Sequence, residues 1–127
     1  MNSSKKLREI KREKKKSLFI REISQILQLL SETNPLIAKV YPTSVDFADD
    51  YSVCYVYLAT FGEFSESVFE ESLSVLKLYK PSIRKEIACR LNPRHTPNII
   101  FLYDKNREKQ NKIDNLLDKV RDELALD

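Results

Sequence analysis

The sequence from Glu66 to Leu91 reads ESVFEESLSVLKLYKPSIRKEIACRL, and the run PNIIFLYD follows at Pro97 to Asp104. The first stretch repeats apolar residues at helical spacing, and the second is typical of a strand. Pro81 interrupts the helical pattern, because a proline lacks the backbone donor and crowds the preceding turn. We therefore expect two helices that meet at an elbow, with a break between Tyr79 and Ser82 and with Pro81 as the first residue of the second helix.

Further apolar patterns flank this stretch. The spacing predicts amphipathic helices from about Lys15 to Leu30 and from about Arg107 to Leu124. Val45–Phe47 and Ser52–Phe61 alternate around an Asp-Asp turn and predict an antiparallel hairpin, and Ile99–Tyr103 predicts a third strand. The order is α-β-β-α-kink-α-β with an additional C-terminal helix, which is typical of an α+β two-layer sandwich with helices on one face of the sheet. The crossover to the third strand would be right-handed if that strand lies parallel to a neighbour.

The same patterns predict where elements end and what they bury. Ser65 is placed to cap the helix that begins at Glu66, Asn92-Pro93 to stop the helix after Pro81, and Gly62 to close the second strand. The predicted core consists of Phe19, Ile23, Leu27, Val56, Leu58, Leu73, Leu76, Ile87, Phe101 and Leu117.

Length and composition indicate a single globular domain. The chain has 127 residues, of which 42% are hydrophobic and 32% charged. It has no apolar run of about 18 residues and no apolar segment of a secretory signal at its N-terminus, so we expect a cytoplasmic protein without a membrane span. Cys54 and Cys89 follow no metal or redox spacing and are predicted to be reduced, buried thiols.

Charge is unevenly distributed along the chain. Residues 1–21 contain nine Lys or Arg and two Glu, whereas the remaining residues contain thirteen basic and seventeen acidic side chains. We divide the chain into a basic N-terminal arm or frayed helix extension at 1–14, a domain at 15–104, and a C-terminal helix at 105–127 that packs on the domain or extends from it. The arm either attracts an anionic partner or is a solvated helix end.

A second cationic region surrounds the predicted elbow. Between Tyr41 and Leu76 there are seven acidic residues and no basic ones, but between Lys77 and Pro97 there are six basic residues and one acidic residue. Such a surface suits a phosphate backbone better than catalysis, although it is also compatible with a solvated face. The candidate RNA-binding residues are Lys14, Lys15, Lys16, Lys77, Lys80, Pro81, Ser82, Arg84, Lys85, Arg90 and Arg94.

Other site chemistries lack the residues they need. His95 is the only histidine, and with two distant cysteines it forms neither a zinc site nor a hydrolytic triad, so we expect no metal, no cofactor and no enzyme activity. Asp46, Asp49 and Asp50 could suggest a cation site, but a turn at a hairpin end is the ordinary use of Asp. Tyr51, Tyr55 and Tyr57 either stack on RNA bases or form a strand face that packs against a helix, and we favour packing.

Four segments together resemble the ribosome-binding factor A family. Arg21-Glu22-Ile23 with Ile26-Leu27-Gln28 is similar to the family's first helix, and Asn34-Pro35 to its Asp-Pro exit. Val45-Asp46-Phe47 with Val56-Tyr57-Leu58 is similar to its hairpin. The most specific match is Arg94 to Asp104, which resembles the signature Arg-x-x-Pro-x-Leu-x-Phe-x-x-Asp. The resemblance covers about Lys15 to Asp104.

The resemblance implies a type II KH-like fold and binding to the small (30S) ribosomal subunit and its 16S rRNA precursor during late maturation. It also implies 5′-end processing and a role in growth at low temperature. The chain departs from the family at Tyr79-Lys80-Pro81, where the family has Ala-x-Gly, at Asn92, where it often has a basic residue, and at Ala38, where it has glycine.

The absence of a GxxG loop limits how RNA would be recognised. Gly62 is the only glycine, and ordinary KH domains clamp single-stranded nucleotides with that loop. We therefore expect the protein to recognise folded rRNA through its shape and its backbone. We also expect the protein to be a monomer when free. The alternative is a KH-like adaptor that binds protein without RNA. Strong salt dependence of rRNA binding would favour the first interpretation.

Overall fold

The computed structural model describes residues 2–106, 116, 117 and 119–121. Its elements are α1 (Asn2–Thr33), a 3-10 turn (Ile37–Lys39), β1 (Val40–Phe47), β2 (Val53–Thr60), α2 (Glu66–Leu91) and β3 (Asn98–Tyr103). No helix among the described residues is both long and apolar enough to cross a membrane.

The three strands form one sheet with β2 in the centre. β1 pairs antiparallel with β2, as predicted for the hairpin, and β3 pairs parallel with β2 after the α2 crossover. In the middle of the sheet, Val56 lies between Val45 and Phe101. The register shifts between Pro42 and Ser44, so that β1 carries a bulge at this point.

One face of the sheet packs against both helices. On β2, Cys54, Val56 and Leu58 are 0% exposed and belong to the same core cluster as Ile23 of α1 and Ile87 of α2. Side chains alternate between the two faces of a strand, so this face is the interior of the predicted α+β two-layer sandwich. The fold class is thereby confirmed.

The alternate residues of β2 lie on the opposite face. Tyr55 and Tyr57 are half-buried and occupy the positions between Cys54, Val56 and Leu58. The expectation that the tyrosines pack against a helix is therefore wrong for Tyr55 and Tyr57, but it is confirmed for Tyr51, which packs on the core with its ring centroid 4.1 Å from Lys15 Nζ of α1. Tyr51 is not on a strand, because it lies in the hairpin turn with a left-handed backbone (φ 60).

The expected helix break at Pro81 is also absent. α2 continues from Glu66 to Leu91 with Pro81 inside it, so the predicted pair of helices is one helix. Leu76 on one side of the proline and Ile83 on the other are both fully buried. Pro81 and Lys77 are exposed, so water can satisfy the Lys77 carbonyl that lacks its usual helical donor.

The ends of α2 follow the sequence closely. The Ser65 hydroxyl accepts a hydrogen bond from the Val68 N–H at 3.4 Å, which confirms the predicted cap. Asn92 adopts the left-handed conformation (φ 45) and donates its N–H to the Ala88 carbonyl, which ends the helix before Pro93. Gly62 has a φ of 76, a conformation that only glycine adopts without cost.

Eight of the ten predicted core residues are buried, and two differ. Leu73 is half-buried against the core, and Leu117 is 57% exposed. Residues 107–115 of the predicted C-terminal helix lie outside the described part of the chain. Leu117 itself is helical, but its apolar spacing does not place it in the core. Cys89 is likewise exposed on α2, whereas Cys54 is buried as predicted.

Two substitutions should distinguish residues that are buried in the core from residues that only follow an apolar spacing. Phe101→Ala should lower the free energy of unfolding by about 3–5 kcal/mol, because it leaves a cavity beneath β3. Leu117→Ala should change it by less than about 0.5 kcal/mol, because that side chain is exposed. Urea denaturation of both variants checks this. An unchanged Phe101→Ala midpoint would contradict the assignment of the core.

Candidate nucleic-acid interface

The basic arm is the N-terminal part of α1 rather than a separate segment. α1 begins at Asn2, and residues 4–11 are all exposed. These exposed residues include Lys5, Lys6, Arg8 and Lys11. At about 1.5 Å per residue, the first ten residues of α1 add roughly 15 Å to a helix whose later turns are docked on the sheet. The arm therefore presents its cations in a helical arrangement.

Arg12 and Lys16 attach the helix to the end of the hairpin. The Arg12 guanidinium donates to Asp46 Oδ1 at 3.1 Å and also to the Phe47 carbonyl. Lys16 Nζ lies 3.3 Å from the same Asp46 oxygen and 3.4 Å from Glu13. These contacts make Asp46 the fixed point at which the arm leaves the domain.

Lys15 is held against aromatic rings of the same region. Its ammonium lies 4.1 Å from the centroid of the Tyr51 ring and 5.5 Å from that of Phe47. Phe47 and Tyr51 also contact each other, with centroids 5.3 Å apart. Of the three lysines of α1 that were predicted to bind RNA, Lys15 and Lys16 are thus half-buried and have partners in the protein, whereas Lys14 is exposed.

The pKa of the Asp46 carboxyl reflects this arrangement. Partial burial acts to raise the pKa, but hydrogen bonds from the Phe47 N–H, from Arg12 and from Lys16 outweigh it and lower the pKa from its ordinary value of 3.8. The carboxylate is therefore the favoured form in the folded protein, and its charge supports the anchor.

Some cations of α2 have partners within the protein, and the others are exposed without one among the described residues. Lys77, Lys80 and Arg84 follow one another at helical spacing along the same side of α2. Lys80 Nζ lies 6.0 Å from the centroid of the Phe101 ring, which directs it toward β3. Arg84 donates to the carbonyls of Pro97 and Thr96 at 3.2 and 3.1 Å. Arg84, which the sequence placed among the candidate RNA-binding residues, therefore holds the loop before β3.

Arg90 has even more partners. It donates to Glu22 at 3.1 Å, to Gln25 at 3.2 Å and to Glu86 at 3.3 Å, and so joins α2 to α1. The hydrogen bonds to Glu22 and Glu86 raise the pKa of its guanidinium. This residue is primarily a link between the two helices.

The remaining candidates are exposed. Lys77, Lys85 and Arg94 have no ion pair or hydrogen bond with any residue that the structure describes. Pro81 and Ser82 lie on the same outer side of α2. Because no helix begins at Pro81, the backbone N–H groups that follow it are engaged within α2 and do not form a helix N-terminus.

The sheet brings the arm and the loop before β3 to one end of the molecule. β1 ends at Phe47, where Arg12 binds, and β3 begins at Asn98, whose N–H donates to the Ser52 carbonyl at 2.9 Å. Arg94 lies in the loop that leads to this end, four residues before Asn98. We group the exposed cations of the arm with Arg94 as one candidate set and call it the basic end.

Sequence reasoning missed the anchoring role of Arg12. Its partner Asp46 is 34 positions away, and no local pattern links them. The sequence showed only that a basic segment and an acidic hairpin occur in one chain. This indicates that the two segments attract each other, but it does not identify which residues form the ion pair.

No metal-binding group of side chains occurs in the part of the chain that the structure describes. Within it, no three His, Cys, Asp or Glu side chains are grouped to hold a metal ion. Burial raises the pKa of the Cys54 thiol to about 12, so it stays protonated at neutral pH. Asp50 accepts hydrogen bonds from the Ser52 N–H and hydroxyl, which confirms its predicted role in the turn.

Comparison with known proteins gives the family. The family model described as ribosome-binding factor A matches residues 11–117. A ribosome-binding factor A from Clostridium tetani is 35% identical over 102 residues, which make up 80% of this chain and 83% of that protein. The chain belongs to the ribosome-binding factor A family. The family resemblance predicted from the sequence is thereby confirmed.

Solved ribosome-binding factor A structures share the fold. The crystal structure of the Thermus thermophilus protein matches with a TM-score of 0.63 at 23% identity, over 72% of this chain and 94% of that one. A homology model of the Thermus thermophilus protein, fitted into a cryo-EM map of a 30S complex, matches with a TM-score of 0.56 at 24% identity. That match covers 68% of this chain and 88% of the other. These structures support the type II KH-like interpretation of the sandwich.

Removing the anchor carboxylate should weaken the fold in a pH-dependent way. Asp46→Asn should lower the free energy of unfolding at neutral pH by at most about 1 kcal/mol, since the ion pair is partly exposed. Because the folded-state pKa of Asp46 is lowered, this contribution is present above the unfolded-state pKa and is lost as pH falls through the folded-state value. Urea denaturation from neutral pH to about pH 2 measures the difference.

The neighbouring carboxylate provides a matched control for this measurement. Asp49 is exposed in the hairpin turn that follows β1, and Asp49→Asn should leave stability within about 0.5 kcal/mol of wild type. A stability difference for Asp46→Asn that persists unchanged at the acidic limit would show that the anchor does not depend on the ionised carboxylate.

Proposed function

We propose that this protein is a non-catalytic assembly factor that binds the small (30S) ribosomal subunit and its 16S rRNA precursor during late maturation. Its role would include processing of the 5′ end of that rRNA and would support growth at low temperature. The protein would act in the cytoplasm and would be a monomer when it is not bound to the subunit. The observation that carries the proposal is the basic end, a set of exposed cations in the arm and at Arg94, on a ribosome-binding factor A fold. The Thermus thermophilus homologue fitted into a 30S map supports the choice of partner.

Exposed cations at the basic end would bind the phosphate backbone. Each lysine or arginine that neutralises a phosphate releases a condensed counterion, which makes the affinity strongly dependent on salt. Such contacts read shape and charge rather than sequence. Bound in this way, the protein would favour one rRNA conformation only to the extent that it binds that conformation more tightly than the alternatives.

A protein–protein adaptor is the second candidate. It is favoured by the apolar residues Leu7, Ile10 and Leu18, which are exposed on α1. Leu78 on α2 is also 80% exposed. Binding to a protein partner that does not change with salt would support this alternative.

Charge reversal of the exposed cations should weaken small-subunit binding. Lys85→Glu and Arg94→Glu should each reduce affinity for purified small subunits and lower the salt slope by about one if the residue contacts a phosphate. Both side chains are exposed, so the fold should persist. Sedimentation at several salt concentrations measures binding, and circular dichroism checks folding.

Lys39→Glu is the matched control for these variants. Lys39 is exposed in the 3-10 turn, which precedes β1 and so lies at the end of the sheet opposite the basic end. This variant changes the net charge equally but should bind like wild type. Equal loss of binding in all three variants would indicate a general charge effect, and wild-type binding by folded Lys85→Glu and Arg94→Glu proteins would favour the adaptor.

Deletion of the arm should reduce affinity without changing specificity. Removing residues 1–11 leaves Arg12, Lys15 and Lys16 in place, so the hairpin anchor should remain intact. Binding to 16S rRNA and to unrelated RNA should fall by similar factors, with a smaller salt slope for both. Filter binding at several salt concentrations tests this, and a loss restricted to 16S rRNA would contradict it.

A further inference from the structure

The face of the sheet that turns away from the helices has a row of neighbouring side chains across all three strands. Tyr57 pairs with Ser44 on β1 and with Leu102 on β3, so the tyrosine lies between a hydroxyl and an apolar side chain. Tyr57 is half-buried, whereas Ser44 and Leu102 are exposed. The central strand β2 therefore exposes part of an aromatic ring to solvent on this face.

A cavity of about 480 Å³ lies at the end of this row, where β3 ends. Its volume falls in the range of roughly 300–1,000 Å³ that is typical of small-ligand sites. The lining combines an aromatic ring, an apolar side chain, hydrogen-bonding groups and one cation. The lining residues that supply these groups are Ser44, Tyr57, Leu102, Asp104, Lys105 and Asn106.

The bulge of β1 fixes one side of this cavity. The Thr43 hydroxyl lies 2.5 Å from Asp104 Oδ2 and 3.2 Å from the Tyr57 carbonyl oxygen. A hydroxyl has one proton, and the shorter contact to the carboxylate is the stronger hydrogen bond. The Asp104 N–H also donates to the Leu58 carbonyl at 2.8 Å. These contacts hold the three strands together at the cavity, so its shape is largely preformed.

We propose that this cavity binds an unpaired nucleobase of single-stranded RNA. Tyr57 would stack on the base, Ser44 and Asn106 would bind its polar edge, and Lys105 would contact the adjoining phosphate. The proposal rests on the RNA binding proposed above and adds a second kind of contact to it. Stacking of bases on aromatic side chains at a sheet surface is a common mode of single-strand recognition.

The distribution of charge and shape favours a base over a longer partner. The lining that the structure describes consists of the Tyr57–Leu102 row, Tyr103 and the residues that follow β3. β2 carries no charged side chain, and Lys105 is the only cation among the described lining residues. Such a site suits one flat ring with a neighbouring phosphate better than an extended phosphate backbone.

The test compares single-stranded and duplex RNA on the full-length protein. A fluorescein-labelled oligouridylate of about ten nucleotides is the first probe, since single-strand sites span roughly 4–16 nucleotides. Tyr57→Leu should weaken its binding by about 5- to 150-fold, the range expected for loss of one stacked base. Binding of a perfect RNA duplex of the same length should not change, because its bases are already stacked.

Two further variants separate stacking from charge. Tyr57→Phe keeps the aromatic ring and should bind the oligouridylate like wild type. Lys105→Gln should lower the salt slope by about one for the single strand. If Tyr57→Leu binds the oligouridylate as tightly as the wild type does, the nucleobase site is wrong.

Sedimentation with small subunits keeps this test distinct from that of the proposed function. Wild-type protein that binds neither small subunits nor RNA would overturn the proposed function. Wild-type protein that binds small subunits, together with a Tyr57→Leu variant whose affinity for single-stranded RNA is unchanged, would overturn only the nucleobase site.

If circular dichroism shows that Tyr57→Leu is unfolded, photo-crosslinking of wild-type protein to RNA that contains 4-thiouridine tests the site instead. A crosslinked peptide containing Tyr57 or Leu102 to Asn106 supports the site, and crosslinks confined to the arm overturn it.

Discussion

The burial of one side of β2 is the constraint on which the rest of the molecule depends. β1 and β3 each pair only with β2, and both helices pack on the face that contains Cys54, Val56 and Leu58. Fully burying such a side chain contributes about 1.5–3 kcal/mol. Because α1 and α2 both pack on this face, Tyr55 and Tyr57 lie on the opposite face of the sheet, away from these helices. The two proposed RNA contacts, the basic end and the cavity beside β3, both follow from that arrangement.

The course of α2 shows how core packing outweighs a local preference. A proline in a helix interior costs about 3 kcal/mol or more. Leu76, Ile83 and Ile87 are all completely buried, and together their burial exceeds that cost. A break between Tyr79 and Ser82 would have turned some of these residues away from the core. The helix therefore continues, and the positive charge along it comes from side chains alone, without the backbone donors of a second helix start.

Sequence patterns predicted those features that depend on local spacing. Strand alternation gave the hairpin and the third strand, and Ser65 and Asn92 gave the ends of α2. The partners of the cations were not predictable, because Arg12–Asp46 and Arg90–Glu22 join residues 34 and 68 positions apart. The same limit applies to Leu117, since apolar spacing shows that a helix has an apolar face without showing what covers it.

The difference between structural and exposed cations changes how the charge of this protein should be interpreted. Arg84 is bound to the carbonyls of Thr96 and Pro97, Arg90 to Glu22, and Arg12 to Asp46. Displacing any of them onto a phosphate would leave a protein acceptor without its donor, and that loss would offset part of the gain from RNA. The number of phosphates neutralised should therefore be smaller than the number of cations in the sequence. Arg84 acts mainly by positioning the loop that carries Arg94, so the two arginines should influence RNA binding in different ways, one through loop geometry and the other through charge.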